Sequence, residues 1–466
     1  MTGEHWDRLR DHLFSGDGDE HGAVLRCGVA QTSRGTRLLV KDVILAEDGK
    51  DYVPGNRGYR MLTEEFVLDN IDACDEERLA YLAVHCHGGD DRVAFSGDDL
   101  ASHQRGYPAL LGISRGMPVG ALVFAQDAVA GDIWLNDGSR VSIDHLEVVG
   151  RPRRVLTPNA TPTPKTDPRY DRQSRLFGDR GQAILANEKV AVIGGGGGGS
   201  ILNELLAHLG TGELVIVDPD RVDVTNLPRV IGARPWDAKA WMVNESRPAW
   251  LQQVGAKLQT KKVRIAARVA RRANPRIKVH ALFASVDEPG VDQLKDCDQI
   301  FLAADTALAR HVVNAISHQY LIPVTQIGAK ATTAKNGAVT DVFSVSRVST
   351  PGHGCLWCNG LIDQNKLREE ITPREQLDRQ RYVDDESVPS PSVITLNSVA
   401  ASLAVNEWLM AVTGLLEDNS STSWTSINAR TGEQDLDLPR RDTNCRECGR
   451  RRFARGDGVT LPTKPV

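Results

Sequence analysis

Residues 189–229 read KVAVIGGGGGGSILNELLAHLGTGELVIVDPDRVDVTNLPR, and no other stretch restricts the fold of this chain so tightly. Residues 190–193 are a short apolar run, the pattern of a strand buried on both faces of a parallel sheet. Six glycines occupy positions 194–199, and residues 201–209 then repeat apolar side chains at helical spacing. A second apolar run, residues 214–217, ends on Asp218. Strand, glycine turn, helix, strand and acid is the order of a nucleotide-binding βαβ unit. The glycines let backbone amides approach phosphates, and the following helix turns its positive end toward them. Asp218 lies at ribose distance from the turn. The expected fold class is α/β, with a mostly parallel sheet in this part of the chain.

Six consecutive glycines contain Gly-x-Gly-x-x-Gly (Gly194, Gly196, Gly199) by necessity. The motif alone therefore leaves a flexible loop and a dinucleotide site both open. The continuation separates them: Asp218-Pro-Asp220, then Asn226-Leu-Pro-Arg229. A dehydrogenase needs only the ribose acid and has no use for the Asn and Arg beyond it. This continuation resembles the ThiF/MoeB and ubiquitin-activating-enzyme family, whose motif runs from the glycine turn through Asp-x-Asp to Asn-Leu-x-Arg. Further matches follow in the family's order. Lys262 lies twelve residues before Asn274-Pro275, as the family's ATP-contacting lysine does. The segment DQIFLAAD ends on Asp305, where the family places its magnesium-binding aspartate. Arg169-Tyr-Asp-Arg172-Gln173 resembles the family's entry segment, whose second arginine reaches the triphosphate of the partner subunit in family dimers.

The resemblance implies a Rossmann-like adenylation domain and a homodimer formed through it. It implies ATP and Mg2+ held by Gly194, Gly196, Gly199, Asp218, Asp220, Asn226, Arg229, Lys262, Arg172 and Asp305. The chemistry fits adenylation of a carboxylate. Arg229, Lys262, Arg172 and a metal on Asp305 neutralise the triphosphate and the leaving pyrophosphate. Positioning does the rest, and that step needs no protein nucleophile.

At 466 residues the chain is long enough for two or three domains, each with its own core. Its net charge of −5 argues against a dedicated nucleic-acid binder. No apolar run approaches membrane-spanning length, and MTGEHWDRLRDHL has no apolar signal core, so the expected address is the cytoplasm. Four of the eight cysteines form two C-x-x-C pairs, Cys355/Cys358 and Cys445/Cys448. In a reducing compartment such pairs read as metal ligands, here the halves of one closed, structural four-thiolate zinc site. A redox pair is the alternative reading, and it has no need of two copies. The family carries a zinc knot in these places.

The first unit, residues 1–151, alternates strand and helix signals. Residues 22–30 and 37–45 look like paired strands, 62–72 a helix, and 79–84 a strand running into His85-Cys86-His87. After an eight-residue gap come Ser96 and Asp99. Two histidines on alternate residues point the same way and can share a metal, and an aspartate on the next turn supplies a third ligand. A fourth position is left for water, as in catalytic zinc sites. With Glu20 upstream, the set resembles the JAB/JAMM (MPN) metalloprotease family: a distant Glu, H-x-H, a gap, then S-x-x-D. That resemblance implies an N-terminal JAMM α/β domain in which His85, His87 and Asp99 bind Zn2+. Glu20 is then the general base and Ser96 steadies the oxyanion. The family's usual Pro after the second His is here Gly88, and its usual Ser or Thr between them is Cys86.

Residues 152–168 are rich in Pro and Thr and read as an exposed linker, with a strap packed on one domain as the alternative. Residues 169–466 form the adenylation domain, where 310–316 reads as helix and 321–328 as strand. Between Arg229 and Lys262 lies an extra segment with Trp236, Trp241 and Trp250, expected to pack as a subdomain rather than to bind a partner. Thioester-forming members of the family carry a cysteine in the crossover before an apolar helix. This chain has none from 359 to 444; Ser387 and Ser390 stand there, and Pro391 opens the run that resembles the helix entry. Either the acyl-adenylate passes directly to an acceptor, or a serine hydroxyl takes the acyl group.

Together the halves suggest one substrate, a ubiquitin-like or sulfur-carrier protein. The second half would adenylate its C-terminus, and the first would trim that C-terminus or cleave its conjugates. A conjugating-enzyme-like protein is the candidate acceptor. The alternative is ThiF-like activation in cofactor or peptide natural-product synthesis with peptide trimming. A non-enzymatic scaffold is the third reading, and the filled catalytic positions of both halves count against it.

Overall fold

The structure, a computed structural model, describes residues 1–464 except 56–57, 59, 334–337, 373–391, 418–423 and 450. Ser387, Ser390 and Pro391 lie outside the described residues. The chain divides into two compact units. The first comprises residues 1–163, 318–321 and 450–460, and the second comprises 164–317, 322–449 and 461–466.

The first unit runs α1 (Gly3–Leu13), β1 (Gly22–Thr32), β2 (Gly35–Leu45), α2 (Glu64–Glu77), β3 (Ala80–Cys86) and α3 (Gly97–Ile113). It continues through β4 (Val119–Phe124), β5 (Val129–Trp134), β6 (Arg140–Ser142), β7 (Leu146–Val148) and β8 (Arg154–Leu156). Among the described residues six strands form one sheet in the order β2-β1-β3-β4-β5-β6. Only β3 and β4 run parallel, which requires the crossover supplied by α3. One face packs on α1 through Trp6, Leu9 and Leu13; the other packs on α2 and α3 through Phe66, Ile71 and Tyr107.

Two sequence expectations shift here. The helix expected over 62–72 spans Glu64–Glu77, because Thr63 caps it through the Phe66 amide and Arg78 ends it in the left-handed conformation. Residues 152–168 are not exposed throughout. Arg154–Leu156 pairs antiparallel with Leu146–Val148 and buries Leu156, so this part is a strap on the first unit.

The second unit opens with α4 (Asp171–Asn187), β9 (Lys189–Ile193), α5 (Gly197–Leu209) and β10 (Glu213–Val217). Next come α6 (Ala240–Val243), α7 (Ala249–Leu258), α8 (Lys262–Ala273), β11 (Lys278–Leu282), β12 (Gln299–Leu302) and α9 (Ala307–Tyr320). The remainder is β13 (Val324–Thr333), β14 (Val339–Ser349), α10 (Gln364–Ile371), α11 (Ile394–Thr413), β15 (Trp424–Asn428) and β16 (Gln434–Asp437). The strand order among the described residues is β11-β10-β9-β12-β13-β14-β15-β16. Strands β9 to β13 are parallel and the rest antiparallel. From β9 the chain goes first to one side and later to the other, so the topological switch point lies between β9 and β12. Val190, Val192, Phe301 and Ile327 point to a core shared with α5, α8 and α11.

One register row crosses the sheet at the carboxyl ends of β10, β9 and β12 and continues over β13 to β16: Val217, Ile193, Leu302, Gln326, Arg347, Trp424 and Asp437. Residues directly opposite one another in a sheet share a face. Apolar over its first three residues, the row turns polar at Gln326.

The tryptophan segment overturns the packing expectation. Trp236, Trp241 and Trp250 are 67%, 52% and 66% exposed. The segment is too short to bury them: α6 has four residues and α7 ten, and these two helices pack on each other through Gly255 and Met242. No helix among the described residues is long and apolar enough to cross a membrane.

Candidate functional site

The glycine turn joins β9 to α5 at the switch point. Gly194 adopts φ +96°, and a side chain there would meet the backbone of Ala303 and Ala304. A Cβ on Gly199 would lie 1.7 Å from the Gly194 carbonyl oxygen, so the turn closes only because position 199 is bare. Gly196 caps α5, and a side chain there would meet open space. Of the three motif glycines expected to bind, Gly196 is the one where a side chain would have room.

Asp218, at the end of β10, is buried and accepts hydrogen bonds from the amides of Gly195 (2.6 Å) and Asp220 (2.7 Å). Burial raises its carboxyl above the usual range, while Lys262 and these two amides pull the other way. Lys262 begins α8. Its Nζ lies 2.8 Å from Asp220 Oδ2, and its amide donates to the Asp220 carbonyl. The Lys262 stem lies beside Gly195, where an added Cβ would touch it at 3.4 Å. The glycine turn, Asp218, Asp220 and Lys262 therefore meet in one place.

Asn226 is brought close by another route. It is buried, and its side-chain oxygen accepts from the Asp223 amide while its own amide donates to Asp223. The loop after it is tied to the first turn of α5 by the Ile231 amide donating to Ser200 Oγ (3.0 Å). Arg229 is half-buried in this loop and donates to the Thr225 carbonyl. Asp305 is exposed three residues past β12, just after the alanines that pack on Gly194. Arg172 is exposed in the first turn of α4.

Sequence reasoning passed over three residues here. Asn397 of α11 would lie 2.4 Å from a Cβ on Gly197, so α11 places an amide against the start of α5. The Glu370 carboxylate of α10 accepts from the Ala307 and Leu308 amides at the start of α9. Arg310 donates to the Leu361 carbonyl from α9. Its spacing from Asp305 was the one signal that could have singled it out.

Four sulfurs converge elsewhere in the same unit. Cys355 Sγ lies 3.5 Å from Cys358 and 3.7 Å from Cys445, and Cys358 lies 3.5 Å from Cys448. Tetrahedral zinc with bonds of about 2.3 Å separates its sulfurs by about 3.75 Å, so the four thiols fit one ion. Hydrogen bonding, first from Cys448, lowers the Cys355 thiol to about 6, and the same bond pushes Cys448 up.

In the first unit, His85 is the last but one residue of β3, His87 follows the strand, and Asp99 sits in the first turn of α3. His85 Nε2 and His87 Nε2 lie 3.2 Å apart, and 3.6 and 3.5 Å from Asp99 Oδ2. Ligands of tetrahedral zinc with bonds of about 2.0–2.1 Å stand about 3.3 Å apart, which is this spacing. His87 Nδ1 faces the Ala94 carbonyl at 3.1 Å. A carbonyl only accepts, so Nδ1 holds the proton and Nε2 keeps its lone pair for a metal. Burial acts to raise Asp99, but bonds from His85 and Ser96 hold its carboxyl well below the usual range.

Ser96 Oγ donates to Asp99 Oδ2 at 2.7 Å while capping α3. Glu20 precedes β1, whose Gly22 pairs with His85. The Glu20 carboxyl is raised by burial, against the pull of His85 and His87. Behind the cluster, buried His103 bonds Asp132 at 2.7 Å, and Arg140 holds the other side of that carboxylate. Nothing in the sequence marked this group beyond the one-turn spacing of His103 from Asp99.

The ThiF family model matches residues 170–447. This chain belongs to the ThiF family. As a ThiF family member it is 34% identical over 140 residues to the tRNA threonylcarbamoyladenosine dehydratase of Bacillus subtilis, covering 29% of this chain and 47% of that protein. It is 31% identical over 160 residues to the SAMP-activating enzyme E1 of Haloferax volcanii, covering 33% and 52%. This ThiF chain thus spans about half the length of these curated relatives. The structure of E. coli MccB with succinimide aligns over 61% of this chain and 75% of that one, at 20% identity and a TM-score of 0.44.

Proposed function

We propose that this ThiF family protein adenylates the C-terminal carboxylate of a ubiquitin-like or sulfur-carrier protein. The observation that carries this reading is the meeting of the glycine turn, Asp218 and Lys262 at the switch point, where α/β sheets bind nucleotides. Asp218 receives the ribose, and the start of α5 receives the phosphates. Lys262 and Arg229 offset the charge that develops as pyrophosphate leaves, and Asp305 would hold a magnesium ion that supplies further positive charge there. Asp220 holds Lys262 in place until then. The substrate carboxylate attacks the α-phosphorus, so the products are an acyl-adenylate and pyrophosphate. Exposed Arg172 is free to reach the triphosphate of a second copy, which makes a homodimer the proposed working form.

Two of the relatives, the SAMP-activating enzyme E1 and the adenylyltransferase and sulfurtransferase UBA4 of Kluyveromyces lactis, support the carrier-protein reading by name. The test is ATP–pyrophosphate exchange with candidate carrier proteins. Exchange with free amino acids alone would move the reading to small-molecule activation. Gly199→Ala forces the turn open, at a cost on the order of 1–3 kcal/mol. Nucleotide affinity of that variant, measured by calorimetry, is expected to fall about tenfold or more.

For the first unit the proposed activity is that of a JAMM metalloprotease, acting on the same carrier as maturation protease or deconjugase. His85, His87 and Asp99 would hold zinc, which supplies a water acidic enough to attack a carbonyl near neutral pH. Glu20, raised by burial, takes a proton from that water and returns it to the leaving amine. Ser96 fixes Asp99 and, with its hydroxyl turned from Asp99 to the substrate, steadies the oxyanion. In Glu20→Ala, bound zinc should be retained while cleavage of a carrier fusion drops by roughly 10²–10⁴-fold. Unchanged cleavage would remove Glu20 from its role. The domain reading is then residues 1–151 for the protease and 169–466 for adenylation.

A further inference from the structure

We propose that Arg310 and Arg347 form a recognition site for an acidic side chain in the substrate's C-terminal segment, about four residues before the terminal carboxylate. The inference rests on the adenylation reading and adds a substrate class to it: a tail bearing Asp or Glu at that distance.

Arg347 projects from β14 in the register row that starts beside the glycine turn. Its Nη1 donates to Gln326 Oε1 at 2.9 Å, and its guanidinium lies 5.9 Å from the Trp424 ring centroid. Gln326 and Trp424 are buried, so they fix the guanidinium rather than follow it. Arg310 comes from α9, five residues after Asp305. Its Nη1 is spent on the Leu361 carbonyl, while its Nε is buried with no hydrogen-bond partner among the described residues.

Burial, and for Arg347 also the charge of Arg310, disfavours the protonated form of each arginine. The acids around them are Asp305 and Glu370 for Arg310, and Asp437 for Arg347. Both Glu370 oxygens are already used by the amides that open α9. Asp305 has magnesium to hold in the proposed reaction. Two partly desolvated guanidinium groups with unused donors are costly alone, and they match the two oxygens of an incoming carboxylate.

The position of that carboxylate follows from the sheet. From β9 to β14 the row crosses β12 and β13, three strand spacings or about 14 Å. An extended peptide advances about 3.3 Å per residue, so about four residues cover the gap. A tail lying along the carboxyl ends of the strands would place its terminus at the glycine turn and an earlier side chain over Arg347.

The experiment is ATP–pyrophosphate exchange by the full chain with paired synthetic peptides. One peptide carries Glu three to five residues before its C-terminus, and its pair carries Gln. In the unaltered protein the Glu peptide should show a KM lower by about tenfold or more, the scale of a charge-assisted hydrogen bond. In Arg347→Gln the difference should shrink to within about twofold, with kcat for the Gln peptide unchanged. If that variant fails to fold, Arg310→Gln is expected to give the same collapse. Equal KM values in the unaltered protein overturn the inference and leave adenylation standing, as does a preference for Glu that survives in Arg347→Gln. Exchange with neither peptide nor any carrier protein overturns both readings together.

Discussion

Lys262→Ala is expected to lower ATP–pyrophosphate exchange by roughly 10²–10³-fold, the range seen when one preorganised donor to a developing charge is removed. The effect is large because nothing nearby replaces it. Lys262 is held by Asp220 through both a side-chain and a backbone contact and lies against Gly195. Arg229 sits in another loop and is anchored to the Thr225 carbonyl. The KM for ATP should change less than kcat, since the lysine matters most as pyrophosphate leaves. Stability should change little, because the Asp220 partner is exposed and a solvent-screened ion pair contributes about 0–1 kcal/mol. Exchange within threefold of the unaltered rate would show that Lys262 is not at the reacting phosphates.

The second large effect concerns the four sulfurs. Cys445→Ser should reduce bound zinc by one equivalent and lower the unfolding midpoint by about 10 °C or more, the scale of a lost structural metal. Cys355 and Cys358 lie in the loop after β14, and Cys445 and Cys448 lie beyond β16. An ion between them would fasten residues 445–448 to that loop. Asn359 and Arg440 exchange hydrogen bonds across the same junction, but these are exposed. Scanning calorimetry with zinc quantification reads both outcomes. A midpoint shift below about 2 °C would show that the sulfurs hold no structural ion.

The second unit's parallel strands were legible because strands buried on both faces announce themselves as apolar runs, and β9, β10 and β12 stand where those runs do. Asp218 and Lys262 were legible because motif spacing fixes their place along the chain. Asn226 was legible as a position, yet its side chain is spent on a local cap with Asp223, which no spacing reveals. The tryptophan segment was misread because aromatic content implies burial only where enough surrounding chain exists to bury it. Two short helices packed on each other leave Trp236, Trp241 and Trp250 at the surface. The strand at Arg154–Leu156 was missed because Pro and Thr dominate its surroundings, and its pairing depends on a partner strand rather than on its own pattern.

Local order along the chain determined the βαβ unit, the paired cysteines and the H-x-H-x-x-x-x-x-x-x-x-S-x-x-D run, because each is a matter of residue type at fixed separation. Tertiary structure alone decided that Arg347 stands in line with the glycine turn and that Asn397 touches Gly197. It also decided that buried His103 bonds Asp132. Those contacts join residues far apart in the chain, and their geometry is set by sheet register and helix packing, which no local pattern encodes.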